Sequence, residues 1–436
     1  MIRAIFDIAL KSLIQHRRRS MVQGGAIALV TALMVMMLGL SEGMNRTLIE
    51  ASTTLMSGHV NVAGFFKPTA GQAAPVVTHV PKLLELVHQE VPELKYVAQR
   101  GRGWAKVISD TSSKMMGVTG IDVKQEVGLK EVLVLREGNF DALAKPNTML
   151  IFDDQAADLE VKVGDQVTIS APTPRGTNNT VDVTIVAIAK SMGLMSSFAS
   201  FMNAETLRQL YQLNEDTTGA LQVYLPTADM VVVKKIEERL RTALEKAGYK
   251  VMEDDPRAFF FKFENVTREA WTGQKLDVTS WRDEVSFVSW TVDLMNAMAF
   301  IVAFLLLAIV GVGIMNVMWI AIRERTREIG TLRAIGMQWP HVLWMFVVEG
   351  FLLAAFSTTF GALAGAGISA AINSAAVPLP LSVQLVVMSD HLIIIPTLQW
   401  ALIAIVFITF IVTMISVIPA GLAARLKPIT AMSHAG

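Results

Sequence analysis

The chain has 436 residues, 52% of them apolar and 17% charged, with 38 basic and 38 acidic side chains. It is too hydrophobic for an ordinary soluble protein and too polar to lie wholly in lipid, so the sequence divides between membrane and water. Zero net charge gives no electrostatic case for a nucleic-acid partner, and the lack of cysteine removes disulfides, thiolate metal sites and cysteine nucleophiles.

At the start of the chain, Ile2, Ile5, Phe6, Ala9, Leu10 and Leu13 recur at helical spacing with Arg3, Asp7 and Lys11 opposite. This predicts residues 1–20 as an amphipathic helix in a membrane interface. His16-Arg17-Arg18-Arg19 then precedes an apolar run at 21–43. The run exceeds the roughly 7–15 residues of a signal core and no small-x-small site follows it, so it reads as an uncleaved first span.

Residues 44–285 read as an α+β domain placed between the first and second spans. Leu40, Met44, Leu48 and Leu55 after the first span, and Val285, Val288, Val292 and Met295 before the second, continue helical spacing as stalks. Lys82–Val91 and Val233–Ala247 read as amphipathic helices; Gln166–Ser170, Val181–Ile188 and Gln222–Leu225 read as strands. Val163-Gly164-Asp165 is a turn signal. The Lys250–Gln274 stretch, with Phe259, Phe260, Phe261 and Phe263, is either buried packing or an exposed apolar loop that meets a lipid-like cargo or partner. No catalytic constellation occurs, and the seven histidines are scattered with no pair at i, i+4, so neither catalytic residues nor a metal site is expected.

Three further runs reach the about 20 residues a span needs: Met298–Ile320, Val342–Ile372 and Leu398–Ile418, giving spans at 286–320, 341–374 and 398–420. Arg3, Lys11 and Arg17 to Arg19 precede the first span, Arg323, Arg325, Arg327 and Arg333 lie between the second and third, and Arg425 and Lys427 follow the fourth. The 375–397 loop between the third and fourth has no lysine or arginine. The positive-inside rule therefore predicts a multi-pass protein with both termini (1–20 and 421–436) and the 321–340 connector in the cytoplasm, and the 44–285 domain outside.

Within that connector Ile322, Ile329, Leu332 and Ile335 fall on one helical face, with Arg323, Glu324, Arg325, Arg327, Glu328 and Arg333 around the rest. Glu324–Arg327 and Arg325–Glu328 are opposite-charge pairs at i, i+3. Gly330 and Ala334 leave a small strip where another backbone can approach, Gly336 is placed to cap the helix, and Pro340 to begin the next. Asn316 and Glu349 are polar groups inside spans. A span glutamate is costly unless paired, so Glu349 is a candidate for function, or for a structural partnership near the interface. Gly361-x-x-x-Gly365 allows close helix packing.

Gly313-Ile314-Met315-Asn316-Val317-Met318, Glu324-Arg325-Thr326-Arg327-Glu328-Ile329-Gly330 and Arg333-Ala334-Ile335-Gly336 resemble the membrane subunits of the MacB, LolC/LolE and FtsX group of ABC transporters. Glu349 and the glycines from 361 to 367 are similar to that group's third span. Pro419-Ala420 through Ala423-Ala424-Arg425, Pro428 and Ala431 resemble its tail, and Asp158 to Val167 its external strand and turn. The resemblance implies that Arg323–Gly336 is a coupling helix docking on a nucleotide-binding subunit, and that the external domain carries an inserted lobe at about 136–225. No G-x-x-x-x-G-K-[ST] occurs in the sequence, so ATP and Mg are expected on a separate ABC ATPase dimer rather than on this chain.

The implied partners are that ATPase, a second permease copy or paralogue, a periplasmic or outer-membrane protein, and the lipid of a bacterial inner membrane. Two functions fit: a mechanotransmission permease moving lipoprotein, lipid-like or other amphiphilic cargo, with a slight lean to LolC/LolE, or an FtsX-like scaffold that activates an external enzyme.

Overall fold

The computed structural model describes residues 2–191, 193, 196, 199–380, 383–384, 389 and 391–424. The side chains of 2–5, 287–292, 295, 317, 321, 327, 328 and 332 fall outside that description, and so do the tail residues Arg425, Lys427, Pro428 and Ala431. The chain divides into two compact units. One is built from Met1–Met44, Val292–Pro378 and His391–Gly436, the other from Asn45–Thr291 and Leu379–Asp390.

The first unit is helical. Its elements are α1 (Ile2–Gln15), the first part of α2 (Arg17–Ala51), most of α10 (Ser286–Glu324), the short α11 (Thr326–Ala334), α12 (Trp339–Ala375) and α13 (Leu398–Ala424). Four of these are long and apolar enough to cross a membrane: α2, α10, α12 and α13. At 1.5 Å per residue the 35 residues of α2 extend about 52 Å, well beyond a hydrocarbon core of about 30 Å. The helix continues from the first unit into the second and ends there in a π-helical turn, Ser52–Ser57.

Among its described residues the second unit holds eleven strands, β1 (Val60–Thr69), β2 (Gln72–Ala74), β3 (Tyr96–Ile108), β4 (Ser113–Ile121), β5 (Leu135–Gly138), β6 (Thr148–Phe152), β7 (Gln166–Pro172), β8 (Asn178–Ala189), β9 (Phe201–Asn203), β10 (Ala220–Tyr224) and β11 (Gly273–Ser280). They run in the order β11-β1-β10-β3-β4-β9-β6-β8-β5, with β2 on β1 and β7 on β3 and β8. The helices packed around them are α3 (Val80–Glu90), α4 (Val127–Val132), α5 (Asp153–Leu159), α6 (Ala204–Tyr211), α7 (Met230–Lys246), α8 (Phe259–Arg268) and α9 (Trp281–Glu284).

The thirteen-residue β3 belongs to two layers. Tyr96 to Arg100 pair with β10, while Gly101 to Ile108 pair with β4, and the last three of these also with β7. Around the second layer an apolar core gathers Val107, Met116, Ile151, Val167, Ile185 and Leu210. The layer begins at Gly101 and its last strand ends at Asn203, whereas β10, inside the expected 136–225 lobe, returns to β1. One uninterrupted strand serves both layers, so no turn residue marks the crossing in the sequence.

Side chains of β3 and β10 bond the π-helical turn. Arg100 Nη1 donates to the Leu55 carbonyl (3.0 Å), Tyr224 Oη to that of Thr53 (3.0 Å) and Gln222 Nε2 to that of Met56 (2.6 Å). Arg100 is itself buried and held by Glu126 through two bonds of 2.7 Å each. These side chains satisfy the carbonyls that a helix end leaves open.

Candidate functional site

The connector between α10 and α12 is built around a break in the helix. Helix α10 ends at Glu324, and Arg325 leaves helical geometry at φ −103°, ψ 7° before α11 starts at Thr326. The Arg325 side chain turns inward from that break. Nη1 donates to Glu349 Oε2 (3.3 Å), and Nη2 donates to Ser12 Oγ (2.6 Å) and to His16 Nδ1 (2.8 Å). A guanidinium only donates, so Nδ1 of His16 is the acceptor in that pair.

Glu349 is buried, 7% exposed. Its other oxygen accepts from Ser12 Oγ (2.8 Å) and from Arg19 Nη2 (3.1 Å), and Arg19 also lies 3.8 Å from Glu324. One carboxylate thus ties α1, α2, the Arg325 break and α12 together. Two arginines and a hydroxyl offset the cost of placing that charge out of water. Glu349 is consequently in a structural partnership at the base of the bundle. Asn316, paired with it as a polar span residue in the sequence, is exposed on α10 and is not part of this group.

The remaining connector residues divide by face. Ile322 and Ile329 are buried at 3% and 1% in a cluster with Ile27, Val342, Phe346 and Ala423, and Gly330 is buried beside them. Arg333 Nη1 donates to the Ala424 carbonyl (3.0 Å), the last described residue of α13. Arg323, Glu324, Thr331, Ala334, Ile335 and Gly336 are exposed and Thr326 half-buried; the side chains of Arg327 and Glu328 lie outside the described residues. The single apolar face expected for Ile322, Ile329, Leu332 and Ile335 is therefore split. Helix α11 is only nine residues long and ends at Ala334, so Ile335 is its C-cap and stands 80% exposed. Gly336 follows at φ +107°, the left-handed conformation that ends the helix. Pro340 lies in the first turn of α12.

Gly361 and Gly365 place α12 directly on α2. A Cβ at Gly361 would stand 2.3 Å from the Ala28 carbonyl oxygen, and one at Gly365 would stand 2.8 Å from that of Ala32. One turn earlier a Cβ at Gly24 would meet Ser357 Oγ at 2.7 Å. Small residues at i, i+4 on both helices let the backbones touch. Ser12, His16 and Arg19 are the members of the cluster that sequence reading left unassigned. Ser12 belongs to α1 and Arg19 to α2, with His16 at the turn between them, so no single helical spacing marks the three in the sequence.

Two family models match this chain. A MacB-like periplasmic core domain covers residues 25–243, and an FtsX-like permease C-terminal covers 300–428. Among curated relatives, the macrolide export ATP-binding/permease protein MacB of Wolinella succinogenes is 31% identical over 132 residues, 30% of this chain and 18% of that protein. Its namesake in Nitrobacter winogradskyi is 36% identical over 126 residues, 28% of this chain and 17% of that one. The matched stretch thus spans less than a fifth of those relatives. Among solved structures, the extracellular domain of the ABC-type transporter YknZ from Gram-positive bacteria aligns with 44% of this chain and 96% of its own at 14% identity and a TM-score of 0.30. The periplasmic region of MacB from Actinobacillus actinomycetemcomitans aligns with 43% and 84% at 12% identity and a TM-score of 0.29. The periplasmic-core match alone takes in half of the sequence, and the C-terminal match takes in the three later apolar helices, so the chain belongs to the MacB and FtsX family of ABC transporter permeases.

Proposed function

We propose that this chain is the transmembrane subunit of a mechanotransmission ABC transporter, driven by a separate ATPase dimer that binds ATP and Mg. It sits in a bacterial inner membrane with both termini and the connector in the cytoplasm, paired with a second permease copy or a paralogue. ATPase closure displaces the connector, and the helices bonded to it carry the motion to the external domain, which acts on an amphiphilic cargo. The observation that supports this most is the two-sided character of the connector from Arg325 to Trp339. One side is fixed to α2, α12 and α13 through Ile329, Arg325–Glu349 and Arg333–Ala424, while Ala334, Ile335 and Trp339 are left exposed. A push on the exposed end reaches three spans without slack.

Placing a photo-crosslinking side chain at Ala334 or Ile335 in intact cell membranes should capture an ABC ATPase, identified by mass spectrometry. The same side chain at Val231, 79% exposed on α7, should capture none. Equal capture at all three positions, or no ATPase from the connector, contradicts the assignment.

A further inference from the structure

The phenylalanine-rich stretch of the second unit builds a cavity system. Helix α8 is pinned from below by polar groups. Lys262 is buried and pairs with Asp277 of β11 at 2.8 Å, and Lys67 of β1 donates to the Val266 and Glu269 carbonyls at 2.6 Å each. Held this way, the helix leaves Phe260 39%, Phe261 49% and Phe263 36% exposed. Two cavities of about 500 and 580 Å³ lie against these rings, and Arg102, Gly103, Trp104, Phe259 and Phe260 line both. Their size and largely apolar lining are those of small-molecule sites.

Arg102 is the polar group where the cavities join. It is 9% exposed; Nη2 donates to Asn61 Oδ1 (3.1 Å), Glu284 stands 3.7 Å away, and the Phe259 ring covers the guanidinium at 4.4 Å. Nη1 is buried with no acceptor among the described residues. A buried donor left unpaired is costly, and a bound acceptor removes that cost.

We propose that the joined cavities bind a neutral single-chain amphiphile, an acyl ester. Its chain lies among Trp104, Phe260 and Phe261, and its carbonyl oxygen accepts from Arg102 Nη1 once the Phe259 ring swings aside. Counting charge excludes an anionic head. Arg100, Arg102 and Lys262 each already face their own buried carboxylate, Glu126, Glu284 and Asp277, so a fourth would be buried without a counter-ion. The site stands whether or not the connector grips an ATPase, and its test does not involve ATP.

The full chain in lipid nanodiscs is irradiated with a monoacylglycerol carrying a mid-chain diazirine, and the label is mapped by mass spectrometry. Label is expected in peptides spanning residues 102–118 and 259–263. Unlabelled monoacylglycerol should displace it, and a fatty carboxylate of equal length should not. Arg102 also supports Asn61, so the variant is Phe260→Asp, which puts a charge on the exposed side of α8. It should cut labelling about tenfold with the thermal midpoint unchanged. Label confined to the apolar spans, labelling unaffected by Phe260→Asp, or equal displacement by the carboxylate would each overturn the proposal.

Discussion

Glu349 compensates two arginines, Arg19 and Arg325. Glu349→Ala strands the buried Arg325 and leaves the half-buried Arg19 with Glu324 alone, a loss expected to cost about 3–5 kcal/mol. Thermal unfolding in detergent should show it, with Glu349→Asp recovering part of the loss. His59, at the start of β1, gives the second unit a pH response. Its Nδ1 accepts from the Leu225 N–H (3.2 Å), and burial, followed by the charge of Lys95, pushes its pKa from 6.5 down to about 4. The unfolded chain takes up a proton near pH 6.5 that the folded ring refuses until about pH 4. Stability is therefore full above pH 6.5 and falls as pH drops through that window, by at most about 3 kcal/mol. Hydrogen exchange of β1 and β10 peptides should accelerate between pH 7.5 and 5, after correction for intrinsic rates, and His59→Gln should remove the difference.

At the level of elements, periodicity located segments and left their partners open. The apolar runs at 21–43 and 398–420 lie within α2 and α13, and the alternation of Val181–Ile188 within β8, because one buried face imposes one period. The surface that Gly361 and Gly365 meet could not be read, since small residues mark close packing without naming what packs. Ala28 and Ala32 answer that here. Gly361→Leu would drive a side chain into the Ala28 backbone, whereas Gly367 has nothing within 4 Å of an added Cβ. Limited proteolysis should find Gly361→Leu loosened between α2 and α12 and Gly367→Ala unchanged. The connector was legible as a charged helix, but its inward and outward residues were not, because nothing in the spacing shows that α11 stops at Ala334 and leaves Ile335 beyond its end. Ile322 and Ile329, on either side of the break, are both buried, while Ile335 at the C-cap is 80% exposed.

For the whole molecule, family membership rests on both ends of the chain, and the direction of insertion rests on its arginines. With no cysteine in the sequence, single cysteines at the exposed Thr177 and Ala334 report sidedness directly. An impermeant maleimide added to intact spheroplasts should label Thr177→Cys at once and Ala334→Cys only after lysis. The reverse order would invert the topology and leave the connector unable to meet a cytoplasmic ATPase. The transmission itself is tested by ATP hydrolysis of the reconstituted complex in proteoliposomes, comparing the native chain with Ile335→Asp. That substitution changes an exposed side chain and no buried contact, so insertion and thermal midpoint should stay the same while permease-dependent hydrolysis falls to the rate of the ATPase alone. Undiminished permease-dependent hydrolysis in Ile335→Asp would contradict the assignment of this connector as the point where the ATPase drives the chain.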